Sequence, residues 1–73
     1  MDKANKKIVE YIRDNWVVPT NNNSLFATEH NLDEKTVRRI KDDSDYKISL
    51  ITIMRICEAR NLKLAEFFKL MDL

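Results

Sequence analysis

Glycine is missing from this chain altogether, and proline and cysteine occur once each, as Pro19 and Cys57. Without glycine, any backbone position that needs a positive φ must be filled by another residue, and asparagine tolerates that conformation better than most. Asn31 and Asn61 are the expected positions, because each stands between two segments of helical patterning. The same absence excludes a glycine-rich loop that cradles phosphates. A lone cysteine excludes an internal disulfide framework and a cysteine-based zinc site, and it fits a reducing compartment. Cys57 reads as a small core residue. Histidine is equally scarce. His30 has no second histidine to work with and reads as a helix-end residue without a site role, so neither a metal nor a cofactor is expected.

Long apolar runs are also lacking. None approaches the roughly 20 residues that span a bilayer, and the first residues lack the charged, apolar and small-residue sections of a signal peptide. A cytoplasmic location with no membrane partner is the expectation. Neither sign of charge dominates: 13 basic and 12 acidic residues give a formal net charge of +1, so total charge says little about a nucleic-acid partner. Its distribution says more. Four basic and two acidic residues stand between Asp33 and Lys41, and Asp42, Asp43 and Asp45 follow with Lys47 as their only balance. That acidic run lacks the turn glycine and the terminal glutamate of a calcium loop and reads as a solvated segment.

What is present is enough for one buried core. With 44% hydrophobic and 34% charged residues over 73 positions, residues 1–73 read as a single domain. A domain this small buries only about 60% of its unfolded surface, so burial against a partner would add needed stability. No stretch alternates apolar and polar residues as a strand would, whereas several repeat apolar residues at helical spacing, which predicts an all-α fold of five short helices. Ile8, Val9 and Ile12 mark the first, over about Lys3 to Asn15, with Trp16 closing its apolar face. Pro19 and the run from Thr20 to Ser24 read as a polar loop whose side-chain oxygens cap a second helix starting near Asn23. That helix runs from Leu25 through Ala27 to His30. After Asn31 and Leu32, Asp33 is the expected cap of a third helix over Glu34 to Lys41. Ser49 caps a fourth from Leu50 to Arg60, with Leu50, Ile53, Ile56 and Cys57 as its inward stripe. Leu64, Phe67, Phe68 and Met71 repeat the pattern in a fifth, and Leu70 and Leu73 add apolar surface beyond it.

The third helix has two distinct faces. At 100° per residue Val37 and Ile40 lie within about 60° of each other, while Lys35, Arg38, Arg39 and Asp42 gather on the opposite side with Glu34 flanking. Lysine and arginine can donate to guanine O6 and N7 or to phosphate, and glutamate can accept from cytosine N4, so this face carries chemistry suited to a major groove.

The segment "SLFATEHNLDEKTVRRIK" resembles the helix-turn-helix of the Cro and lambda-repressor-like family, of xenobiotic-response-element type. Ala27 takes the place of the small residue that lets the two motif helices approach, Asn31 that of the turn glycine, and Val37 and Ile40 those of the buried pair in the recognition helix. Further along, "ISLITIMRICEARNLKLAEFF" is similar to the family's fourth and fifth helices, so the likeness covers Asn23 to Phe68 and puts the motif at about 23–42. Departures from the family pattern are Asn31 for glycine, His30 and Arg60 at positions usually apolar, and Lys63 where a capping serine is common.

The resemblance implies a compact five-helix lambda-repressor-like domain that binds double-stranded DNA as a homodimer and regulates transcription, most commonly as a repressor. It implies base contacts from Glu34, Lys35, Thr36 and Arg39. Phosphate contacts are implied at Asn23, Arg38, Tyr46, Lys47 and Ser49, with Arg13 as a further one. Phe68, Leu70, Met71 and Leu73 are the expected dimer surface. The rival reading is a protein-interaction module of the same fold, antitoxin-like or an antirepressor partner. An enzyme is not expected, since the chain offers no paired nucleophile and base and no metal-ligand cluster, and no small-molecule ligand is evident.

Overall fold

The amphipathic repeat of Ile8, Val9 and Ile12 does form the first helix, α1 (Asp2–Ile12), in a computed structural model that describes residues 2–73, with side chains from Lys3 onward. The helix does not stop near Asn15 as expected. It widens into a π turn over Arg13–Val17, in which the Val18 N–H donates to the Arg13 carbonyl, and then runs on as a short α turn over Val18–Thr20. An i to i+5 bond stacks residues five apart, so Ile12 and Val17 point to the same side and both are buried. Pro19, expected in a loop, lies inside this helical continuation, where the wide turn just before it accommodates its missing N–H and its ring. The polar loop thus shrinks to Asn21 and Asn22. Asn21 adopts a left-handed conformation with φ of 52°, and the Asn22 side chain accepts from the Leu25 N–H at 3.0 Å.

Four further helices follow: α2 (Asn23–Glu29), α3 (Glu34–Asp42), α4 (Leu50–Ala59) and α5 (Leu64–Leu70). The described residues contain no strand, so the chain is all-helical. The expected caps are in place. Asp33 accepts from the Lys35 N–H at 3.1 Å, and the Ser49 hydroxyl accepts from the Thr52 N–H at 3.1 Å. Lys63 leaves its helix start without a side-chain acceptor of its own, and Glu66 reaches back to accept from the Lys63 N–H at 2.9 Å.

Asn31 and Asn61 both have φ of 56°, and Asp72 completes a series of left-handed residues just past α2, α4 and α5. In each case the next residue's N–H returns to a carbonyl five positions back: Leu32 to Ala27, Leu62 to Cys57 and Leu73 to Phe68, at 2.8, 2.8 and 3.0 Å. This 6→1 closure is the Schellman motif, normally served by glycine.

The core joins all five helices, with Phe26, Phe67, Ile12, Ile40, Ile56, Val17 and Val37 at its centre. Each such side chain withdraws apolar area worth about 1.5–3 kcal/mol. Phe67 lies beside Trp16, Tyr11 and Phe68, with ring centroids 5.6, 6.0 and 5.8 Å away. Cys57 is buried, which pushes its thiol pKa up and keeps it a packing residue. Two expectations about burial need correction. Leu50 is 57% exposed, because it sits in the capped first turn of α4, where the buried position goes to Thr52. Met71, read both on the apolar stripe of the fifth helix and on the dimer surface, is buried, as the stripe requires and the dimer surface does not: it terminates α5 and packs into the protein's own core.

Candidate nucleic-acid interface

The candidate surface is built on α3, and the core decides which way that helix faces. Val37 and Ile40 are fully enclosed, α2 packs along one flank, and the π turn and α1 lie against it from the other elements. With the inner face locked, Glu34, Lys35, Arg38, Arg39 and Asp42 are exposed. Thr36 is half-buried, at the margin between the two faces. Lys35, Arg38, Arg39, Asp42 and Asp43 border one open hollow on this side. Three cations and two carboxylates therefore share a small area, giving a polar rather than a uniformly positive surface.

Glu34 is engaged within the chain. Its carboxylate accepts from the Ser24 hydroxyl at 2.7 Å and from the Arg38 guanidinium at 3.3 Å. Ser24, absent from the expected site, thus links the start of α2 to the start of α3. The Glu34–Arg38 pair is an exposed i, i+4 ion pair, worth about 0.3–0.5 kcal/mol, which leaves Arg38 easily recruited by a stronger anion. Asp43 is also occupied, accepting from the Asp45 N–H at 2.9 Å and so shaping the first turn of the following loop.

That loop carries the other expected contacts. Tyr46 is half-buried against the core, Lys47 is exposed, and Ser49 is exposed with its hydroxyl held between the Thr52 N–H and the Thr52 hydroxyl. Asn23, implied as a phosphate contact, is half-buried in the first turn of α2, and its neighbour Asn22 makes the side-chain cap of that helix. Arg13 projects from the π turn and is paired with Asp14 at 2.8 and 3.3 Å. Of the expected dimer surface, Leu70 and Leu73 are exposed and Phe68 is half-buried.

Behind the motif turn lies an arrangement that spacing did not reveal. The His30 ring stacks on Phe26, with centroids 3.8 Å apart, and its Nδ1 lies 2.8 Å from the Phe26 carbonyl. Its Nε2 lies 3.0 Å from an Arg60 guanidinium nitrogen, and that guanidinium rests 4.2 Å over the Trp16 ring. Arginine only donates, so Nε2 accepts and Nδ1 carries the proton toward the carbonyl. The two residues that depart from an apolar pattern, His30 and Arg60, satisfy each other. Arg55 adds a second tie across the same junction, donating to the Asn31 carbonyl at 3.4 Å. No described group of histidine, cysteine, aspartate and glutamate side chains is arranged to hold a metal ion, and no described helix is long and apolar enough to cross a membrane.

Comparison with protein-family models, with curated proteins and with solved structures found no match.

Proposed function

We propose that this chain is a lambda-repressor-like transcriptional regulator, acting in the cytoplasm, that reads double-stranded DNA with α3 in the major groove and works as a homodimer. The observation that carries the reading is the two-sided character of α3: Val37 and Ile40 lock it to the core while Lys35, Arg38 and Arg39 are exposed on the other side, Arg38 in a weak ion pair with Glu34. In this reading Lys35 and Arg39 donate to base edges, and Glu34, steadied by Ser24, accepts from an exposed amino group of cytosine. Arg38, Lys47, Tyr46 and Ser49 bind phosphates and set register. Two copies related by a two-fold axis present their third helices to successive major grooves about 34 Å apart, so the operator is a near-palindrome. Leu70 and Leu73, with Phe68, form the contact between copies.

Selection from a random duplex pool tests this directly. Enrichment of a palindromic sequence is expected, and failure to enrich any sequence at low salt overturns the reading. Lys35→Ala or Arg39→Ala is expected to cost about 1–3 kcal/mol of specific binding while leaving the melting temperature unchanged. Equal losses on every sequence would instead make these residues phosphate contacts.

A protein-interaction module is the second reading, favoured by one observation. Leu50, Ile51 and Met54 lie within five residues of α4 and are 57%, 62% and 49% exposed, an apolar face that DNA does not need. Capture of a specific protein partner together with no enriched duplex would favour it.

A further inference from the structure

Asn5 sits in α1, far in sequence from the loop between α3 and α4, yet it is bonded to that loop twice. Its side-chain amide donates to the Tyr46 carbonyl at 2.9 Å, and its side-chain oxygen accepts from the Ile48 N–H at 3.0 Å. The two bonds settle the orientation of the amide, since only one assignment places a donor against the carbonyl and an acceptor against the N–H. Asparagine is a poor residue inside a helix, because its side chain competes for local backbone groups. Here it is turned to a distant segment instead.

The geometry resembles one rung of a sheet. Residues 46–48 lie outside the helices, and Asn5 satisfies one carbonyl and one N–H flanking Lys47 as a neighbouring strand would. In an extended segment side chains alternate, and the segment obeys this: Tyr46 and Ile48 are half-buried against the core while Lys47 between them is exposed. A slip of one residue would reverse the alternation and turn Lys47 inward. The upstream part of the loop is held by other bonds, through Asp43, and the downstream part by the Ser49 cap. Asn5 is the side chain that ties the stretch between them.

We propose that Asn5 is a positioning residue for DNA binding: it fixes the register of residues 46–48 so that Lys47 presents to phosphate. The proposal rests on the DNA-binding reading above. A neutral residue on another helix would then govern part of the electrostatic attraction without touching DNA.

The test measures affinity for a mixed-sequence duplex across a series of salt concentrations, for wild type, Asn5→Leu, Lys47→Ala and the double variant. Leucine keeps the branched shape of asparagine without its polar atoms and favours the helix, and Asn5→Ser replaces it if Asn5→Leu does not fold. The Asn5 variant is expected to show a salt slope shallower by about 0.9 for each phosphate that is no longer neutralised, although no charge was removed. Its loss and that of Lys47→Ala should also be non-additive, the combined loss falling short of the product of the single losses by about 2-fold or more. A merely destabilised protein would lose affinity by the same factor at every salt concentration. An unchanged slope with multiplicative losses, while wild type binds, overturns the proposal alone. No binding by wild type at low salt overturns the DNA-binding reading and this proposal with it.

Discussion

His30 is held as a neutral imidazole from both sides. A proton added to Nε2 would face the Arg60 guanidinium, setting two donors and two positive charges 3.0 Å apart at the edge of a buried imidazole. Burial is the main reason that the His30 pKa lies below its ordinary value. The Arg60 charge acts in the same direction, while the Phe26 carbonyl and Glu29 oppose it. The unfolded chain therefore binds this proton more readily than the folded one. The contribution of His30 to stability is complete above its unfolded pKa of about 6.5 and is lost as pH falls from there toward the lowered folded value. Urea midpoints measured at about pH 7.5 and about pH 5.5 should show a drop in wild type that is smaller in His30→Gln. An equal drop in both would assign the acid sensitivity to other groups. None of this was legible along the chain, because the partner that makes His30 acceptable is 30 residues away. Asn5 left a fainter trace: it stands three and four positions before Ile8 and Val9, on the buried stripe of α1, where a polar residue needs an internal partner.

Three of the helices end in the same way, and the element that depends most on it is the motif turn between α2 and α3. With Asn31 at φ of 56°, the Leu32 N–H reaches the Ala27 carbonyl, and Leu32 turns back toward the core. Alanine in this conformation brings its Cβ against the backbone, so Asn31→Ala is expected to lose about 1–2 kcal/mol of stability, whereas Asn31→Gly should hold or raise it. Thermal denaturation of the two variants checks this, and equal melting temperatures would rule out left-handed strain as the cause. The turn was readable because the chain offers only asparagine for the position, and α3 and α4 were readable because Asp33 and Ser49 are cap residues standing at the start of an apolar period. The end of the first helix was not. Pro19 followed by a run of polar residues carries the composition of a loop, and a π turn leaves no mark in a pattern judged at 3.6 residues per turn. Trp16 was correctly placed at the closing end of that face, but Arg60 stacked above it became visible only in three dimensions.

At the scale of the whole molecule, the radius of gyration of 11.2 Å matches the roughly 11 Å expected of a compact chain of this length. Its extents are 29 × 27 × 21 Å, dimensions that in the proposed dimer would let two adjacent copies reach grooves about 34 Å apart. The exposed apolar residues fall into separate groups, Leu70 and Leu73 at the end of α5 and Leu50, Ile51 and Met54 on α4. If the proposed dimer uses the first group, sedimentation should show Leu73→Glu moving wild-type dimer toward monomer and Ile51→Glu leaving it unchanged. Wild type that stays monomeric at high concentration would remove self-association altogether. The motif helices and most of the core could be placed from periodicity, whereas the surfaces could not, since exposure depends on which helix covers which. The π turn carries a consequence for chain length. Deleting one exposed residue from it, such as Asn15, would bring Ile12 and Val17 from five positions apart to four, the spacing at which an ordinary α-helix again places both on one face. The wide turn thus carries one residue more between Ile12 and Val17 than an α-helix would need, while both side chains stay buried.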